Sequence, residues 1–414
     1  MSTKPIPPFN VSFHTLNTSR TAPNQDVLEN RWLHQLFLLT HKPAEWSAWQ
    51  LAGGLLLLAG LTGLVWWPLG SLAWAAAALY LAFALADWWL LTWLRRSGRS
   101  FGPVGPLLFV VTVPRLAVVV AAALPGWLIS PVTGLAVMAL LQLAGLLIYW
   151  WGMVKEPFAL GLTRLSIPAT AWPQHAPALR LLHLSDLHVE RLTRREARLL
   201  ELVSEANPDL IVITGDYLNL SYVNEPTARA EVRQVLAQLH APYGVYATLG
   251  SPPVDPRATT PSLFDGLDNI RLLRDEVAVL RLADGRALSL IGLDCEHELE
   301  LDAMTLKDLM PLVPGDTLRV LLYHSPELML AAQQYPIDLY LCGHTHGGQA
   351  RLPLLGAVIT SSALGKRYEM GRYDEQGTTL YISRGIGLEG LSAPRLRLLC
   401  PPEMVLVNLN GVEH

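Results

Sequence analysis

Six residues carry the chemistry this sequence can support: Asp186, His188, Asp216, His324, His344 and His346. They fall in short runs, Asp186-Leu187-His188, Gly215-Asp216, His324 and His344-Thr345-His346. Carboxylates and imidazoles are the ligands of borderline divalent metals, and two residues at i and i+2 beyond a strand end can both turn inward. One such histidine alone would read as an ordinary hydrogen-bonded polar side chain. A series of them, each directly after an apolar run, reads as a metal-holding rim. The sequence contains no GxSxG elbow, no Walker loop and no Cys-His signature. A nucleophilic side chain is therefore not what it offers.

The elements that must position these residues are short and apolar. Arg180 to Leu184 reads as a strand ending in Ser185-Asp186. A helical stretch, Arg194 to Glu205, stops at Asn207-Pro208-Asp209. Leu210-Ile211-Val212-Ile213 is a β-branched buried strand that runs into Thr214-Gly215-Asp216. A helix is expected near Ala228 to Leu239, and strands at Gly244 to Leu249, Ala287 to Leu293 and Leu318 to Leu322, the last ending at His324. Ile337 to Leu341 leads into Cys342-Gly343-His344-Thr345-His346-Gly347-Gly348. Strands alternating with helices predict an α/β layered domain. In such sheets the residues just past the strand C-termini gather on one rim, where ligands bind.

The order Asp-x-His, Gly-Asp, His, Gly-His-x-His resembles the calcineurin-like metallophosphoesterases. The stretch Cys342 to Gln349 and the later Ser383-Arg384-Gly385-Ile386-Gly387 are similar to bacterial phosphohydrolases of that superfamily, some of them membrane-tethered and active on lipids or lipid-linked nucleotide sugars. The resemblance covers residues 178–408 and implies a four-layer sandwich, two sheets flanked by helices. It also implies two divalent metal ions (Mn, Zn, Fe or Mg) bridged by one Asp and a hydroxide. Carried across, Asp186, His188 and His346 hold one metal, Asp216 bridges, and His324 and His344 hold the other; Asp216, His324 and His346 carry the catalysis. Two cations about 3.5–4 Å apart lower the pKa of a bridging water and clamp phosphate oxygens during in-line attack.

One departure matters. After its third strand the family has Gly-Asn-His, where the Asn ligates the second metal and the His assists at the phosphate. This chain reads Gly250-Ser251-Pro252-Pro253-Val254-Asp255. Ser251 is a poor neutral ligand and Pro252 has no proton to give. An absent acid is worth typically about 10²–10⁴ in rate. Either His297 or Asp255 substitutes for it, or the chain is a single-metal or non-catalytic binder of a phosphorylated ligand.

The N-terminal half belongs to a different solvent. Hydrophobic residues make up 51% of the chain, and all 13 Trp lie at or before Trp172. Apolar stretches at 48–67, 72–94, 107–129 and 132–152 each approach the ~20 residues a helix needs to cross a bilayer. Pro114-Arg115 interrupts the third, and Arg115 is expected to pair with Asp87. Arg95, Arg96, Arg99, Arg31, Lys42 and Lys155 lie on one side of the predicted spans, while the two opposite turns carry no Lys or Arg. The positive-inside rule then predicts a multi-pass plasma (inner) membrane protein with a cytoplasmic C-terminal domain. The expected organisation is a flexible polar tail at 1–45 without signal-peptide order, an all-α region of four transmembrane helices at 46–155, a linker at 156–178 and the phosphoesterase domain at 179–414. Membrane lipids and a phosphate ester, amphiphilic or not, are the expected partners. A net charge of -4 excludes a nucleic-acid surface as the working hypothesis. Cys295, Cys342 and Cys400 are too few and too irregularly spaced for a disulfide framework.

Overall fold

The computed structural model describes residues 10–16, 39 and 42–412. The chain divides into two units. One contains the apolar helices together with Glu389–Leu398; the other contains Phe158–Leu388, the chain from Leu399 onward and the strand Asn10–Thr15.

The helical unit has α1 (Ala48–Trp66), α2 (Leu72–Arg96), α3 (Val104–Leu128) and α4 (Pro131–Trp150). All four are long and apolar enough to cross a membrane. Ser47 and Gln50 form a capping box at the start of α1, and Ser130 caps α4 with Pro131 in its first turn. Pro114-Arg115 interrupts the apolar stretch but not the helix, since α3 runs through it. Apolar surroundings favour helix because every unsatisfied backbone group costs heavily there. Arg115 donates through Nε and Nη2 to both oxygens of Asp87 (2.6 and 2.7 Å) and through Nη1 to Gln142 Oε1 (2.8 Å). Gln142 Nε2 returns a bond to the Arg115 carbonyl (3.1 Å). The expected Asp87–Arg115 pair is therefore present, and it is buried.

Among the described residues the other unit carries fifteen strands in chain order: β1 (Asn10–Thr15), β2 (Gly161–Pro173), β3 (Leu179–Leu184), β4 (Leu210–Ile213), β5 (Val245–Ala247), β6 (Ile270–Leu272), β7 (Glu276–Arg281), β8 (Ala287–Gly292), β9 (Leu318–Leu322), β10 (Leu339–Cys342), β11 (Arg351–Leu352), β12 (Gly356–Ala357), β13 (Gly371–Glu375), β14 (Thr378–Ile382) and β15 (Glu403–Val412). Its main helices are α5 (Arg194–Ala206), α6 (Pro226–Leu236) and α7 (Leu299–Leu309). One sheet has the order β2-β15-β3-β4-β5-β6, the other β1-β7-β8-β9-β10-β14-β13.

Alternation along the strands builds the layers. In β3 and β4, Leu181, Leu210 and Val212 face the second sheet, meeting Leu288, Leu290, Val320 and Leu341. Their neighbours Leu182, Leu184, Ile211 and Ile213 pack on Leu199, Leu202, Val232 and Leu236 of α5 and α6. Behind the second sheet, Ile291, Leu321 and Tyr340 pack on Leu306 and Leu309 of α7. The expected four-layer sandwich is the observed one. Its parallel ladders end at Leu184, Ile213, Ala247, Leu322 and Cys342, the residues from which the chemistry-bearing loops start.

Two boundaries differ from the sequence expectation. The supposed linker contains β2, which lies parallel to β15 and buries Ile167, Ala169 and Trp172; the Trp172 indole N–H donates to the Ala287 carbonyl (3.1 Å). The supposed flexible tail contains β1, antiparallel to β7 with Val11 opposite Leu280. A six-residue strand has little intrinsic drive to form, and the open edge of β7 supplies the hydrogen bonds. The remainder of the tail lies outside the described residues apart from Leu16, Leu39 and the stretch from Lys42.

Candidate metal centre

Backbone strain marks the site before any side chain is considered. Asp186, His188, Asp216, His344 and His346 all have φ between 40° and 69°, the left-handed region. Asp and His enter it more readily than most residues but still at a cost. His297, from the loop after β8, shares it with φ 57°. Strain repeated at successive strand ends points to a functional constraint.

The loops are held by backbone hydrogen bonds between strand ends. Asp186 N–H donates to the Gly215 carbonyl (3.1 Å) and His188 N–H to the Asp216 carbonyl (3.0 Å). Gly387 N–H donates to the Asp186 carbonyl (2.6 Å), so the Ser383–Gly387 segment buttresses the first loop. Two positions require glycine by approach. A Cβ on Gly343 would lie 2.0 Å from Asp186 Oδ2, and one on Gly250 would lie 2.1 Å from Asp216 Oδ1.

Each carboxylate has one oxygen tied to a backbone N–H; in Asp216 the other oxygen faces the imidazoles, whereas in Asp186 the tied Oδ1 is itself the oxygen nearest His346 and His324. Asp186 Oδ1 accepts from His344 N–H (3.0 Å), and its Oδ2 is buried without a hydrogen-bond partner. Asp216 Oδ1 accepts from Ser251 N–H (2.8 Å), while Oδ2 lies 3.5 Å from His188 Nε2 and 3.3 Å from His324 Nε2. Asp216 Oδ2 thus stands between two imidazoles. His188 Nε2 and His346 Nε2 face each other at 3.0 Å, with Asp186 Oδ1 3.5 Å from the latter. Nδ1 of His324 lies 2.7 Å from the Thr214 carbonyl, which can only accept, so Nδ1 carries a proton and Nε2, facing the carboxylates, is the nitrogen that would offer its lone pair to a cation. That Nε2 is also buried without a hydrogen-bond partner.

Two groups of ligand atoms result, each within 4.8 Å: Asp186, His188 and His346, and Asp186, Asp216 and His324. The residues fit divalent cations. Buried acceptors are left over, imidazole lone pairs converge, and no Lys or Arg contact neutralises the carboxylates among the described ion pairs at these two side chains. Burial alone would lower the pKa of His324, yet Asp216 and then Asp186 outweigh it and raise the imidazole to about 10. The pocket asks for positive charge. Burial would likewise raise Asp216, but His324, His188 and His344 hold it well below the usual carboxylate range.

His344 stands slightly apart from the other expected ligands. Its Nε2 donates to the Ser361 carbonyl (2.8 Å), its Nδ1 faces Ser251 Oγ at 3.4 Å, and its ring packs edge-on to His324. His297 completes this side. Its Nε2 lies 3.1 Å from Ser251 Oγ, and its ring centroid is 4.7 Å from that of His344.

The two sequence candidates for a substitute acid separate here. His297 is in the site, although burial, followed by His344 and His324, holds its imidazole well below the ordinary value, so it is neutral. Asp255 is not available as an acid. Its Oδ2 accepts from Asp216 N–H (2.7 Å) and Gly250 N–H (2.8 Å) and its Oδ1 from Tyr217 N–H (3.2 Å). It is the clasp of the Gly250–Asp255 loop, and Arg257 adds a bond to the Gly250 carbonyl (3.0 Å). That role is not legible in the sequence, because two of its three donors, Asp216 N–H and Tyr217 N–H, belong to the loop after another strand.

A family model described as calcineurin-like phosphoesterase matches residues 179–251. The uncharacterised metallophosphoesterase YkuE of Bacillus subtilis is 30% identical over 270 residues, covering 64% of this chain and 90% of that protein. The UDP-2,3-diacylglucosamine pyrophosphatase LpxG of Chlamydia trachomatis is 26% identical over 322 residues, covering 64% of this chain and 93% of LpxG. The phosphodiesterase YaeI of Escherichia coli is 28% identical over 242 residues, covering 57% of this chain and 83% of YaeI.

Proposed function

The chain belongs to the calcineurin-like metallophosphoesterase family, and on that premise we propose that it hydrolyses a phosphomonoester or phosphodiester at a two-cation site in a membrane-tethered domain. Asp186, His188 and His346 would hold one cation, His324 and His344 the other, with Asp216 shared. The observation that carries the reading is the Oδ2 atom of Asp216, lying between His188 and His324 with its other oxygen pinned by Ser251 N–H. When bound, the two divalent ions supply Lewis-acid activation of water and neutralise charge on the phosphate. The protein's own part is orientation. The Thr214 carbonyl fixes the His324 tautomer, Asp255 clasps the Asp216 backbone, and His297 presents a neutral imidazole beside Ser251.

The substrate we favour is amphiphilic. LpxG is named for cleaving an acylated nucleotide sugar, and four membrane-capable helices precede this domain. The charge bias of Arg95, Arg96, Arg99 and Lys155 supports a cytoplasmic placement of the domain. A second reading is favoured by one observation: Ser251-Pro252 stands where the family has Asn-His, which suits a protein that binds a phosphorylated ligand without turnover.

Metal analysis beside a hydrolysis assay tests both. With Mn²⁺ and bis(4-nitrophenyl) phosphate, two metals per chain and activity abolished by Asp216→Ala support the enzyme. One metal or none, with no hydrolysis, supports the binder.

A further inference from the structure

The segment between His346 and Ser361 contains a hairpin that the metal site does not use. Its strands β11 and β12 are two residues each, and its tip reads Leu352-Pro353-Leu354-Leu355. Leu354 is fully exposed and Leu355 is 65% exposed, with Val358 also in solvent. Leu354 has φ 68°, a conformation that turns normally give to Gly or Asn. A leucine there is doubly unfavourable in water, being both strained and apolar. A lipid phase removes the second penalty, and exposed apolar tips of this kind mark membrane or protein contacts.

The base of the hairpin is rigid even though the tip is bare. Arg351 Nη1 donates to the Gly347 carbonyl (2.9 Å) and Nη2 pairs with Glu369 (2.8 Å); Glu369 also accepts from Ala357 N–H (3.2 Å). Val358 N–H donates to the Ala350 carbonyl (3.0 Å). Lys366, largely exposed, donates from its ammonium to the Leu355 carbonyl and lies 3.9 Å from a Glu369 carboxylate oxygen. Both legs end on the site: one on the turn His346–Gly348 through Arg351, the other on the His344 ring through the Ser361 carbonyl.

We propose that the Leu352–Leu355 tip inserts into the interfacial layer of the bilayer, so that a lipid-borne phosphate ester meets the metal centre at the membrane surface. The proposal rests on the membrane reading of the four helices, which are long and apolar enough to cross a bilayer and would make it the apolar phase available to this chain. It deepens the functional reading by requiring a substrate whose acyl portion stays in lipid while its phosphate reaches His344 and His346.

Single-site fluorescence tests it, and the chemistry is favourable because Cys295, Cys342 and Cys400 are all buried. Three full-length variants, Leu354→Cys, Leu140→Cys on α4 and Met304→Cys on α7, are labelled with a nitrobenzoxadiazole thiol reagent. They are then reconstituted into phosphatidylethanolamine–phosphatidylglycerol vesicles with and without acyl-chain nitroxide lipid. Leu140 and Met304 are both exposed, which makes them the lipid and water references. Insertion gives a blue-shifted emission at 354 and a quenching loss close to that at 140, with little loss at 304. Quenching at 140 but not at 354 overturns the proposal and leaves the membrane reading intact. Absence of quenching at 140 overturns both. A label at 354 shielded from aqueous iodide yet untouched by the nitroxide lipid would mean that a second copy of the chain covers the tip, which also overturns it.

Discussion

Replacing His297 with alanine separates two chemistries that the sequence left together. A protonated general acid supplies roughly 10²–10⁴ in rate. The structure makes a smaller demand on His297. Burial beside His344 and His324 keeps it neutral, and a bound cation would only add to that effect. A neutral imidazole can offer a hydrogen bond from Nε2, positioned as it is 3.1 Å from Ser251 Oγ. Losing one buried hydrogen-bonding partner costs about 1–3 kcal/mol, which converts to roughly 5- to 150-fold in kcat/KM. The assay compares a 4-nitrophenyl phosphodiester with an alkyl one. A hydrogen bond to the phosphoryl region lowers both rates by similar factors, whereas an acid matters only for the poor alkyl leaving group. A loss beyond about 10³ confined to the alkyl ester would refute the neutral-imidazole reasoning. No loss on either ester would remove His297 from the machinery altogether.

Other outcomes follow from the same contacts. Ser251→Asn with Pro252→His restores an amide ligand and a proton donor; if this loop limits turnover, kcat rises by up to roughly 10²–10⁴, and a variant that binds two metals yet is no faster shows that it does not. Asp87→Ala strands the buried Arg115 and is expected to cost about 3–5 kcal/mol in detergent unfolding, with Asp87→Ala combined with Arg115→Leu recovering much of it. Asp302 is buried against the Tyr323 hydroxyl (2.5 Å), and burial raises its pKa to about 7. Because the folded state holds that proton more tightly than the unfolded chain, stability falls as pH rises from about 4 to 7, by up to roughly 4 kcal/mol. Asp302→Asn should flatten the decline in melting temperature across that window, and an unchanged slope would assign the decline elsewhere.

The parts of the fold legible in the sequence are those that depend on local residue type. Leu210-Ile211-Val212-Ile213 is apolar on both faces, as a strand covered by a second sheet on one side and by helices on the other must be. Thr193 and Glu196 announce α5 by a capping box. What was not legible depends on distant partners. The strand β2 is held by β15, where Thr163 Oγ1 donates to Glu403 (2.5 Å) across 240 residues, and nothing within 161–173 encodes that partner. The return of Glu389–Leu398 to the helical unit is invisible for the same reason, since its Pro, Arg and Leu residues suit a surface loop equally well.

The site shows the same division at finer scale. Residue types named the candidate ligands, because few side chains besides Asp and His combine metal affinity with tolerance of the left-handed region. That tolerance explains why the strain at Asp186, His188, Asp216, His344 and His346 can persist. At each it costs on the order of 1 kcal/mol, and two buried parallel ladders with cross-loop hydrogen bonds hold the backbone against it. Gly250-Ser251-Pro252 follows a different route to rigidity. Its backbone is fixed by Asp255 accepting from Gly250 N–H and by Ser251 N–H donating to Asp216. The loop can therefore lose the family's Asn and His and still deliver Ser251 to the rim, between His297 and His344. Position is set by the main chain and reactivity by the side chains, so a chain that keeps the first while altering the second retains the architecture of a phosphoesterase.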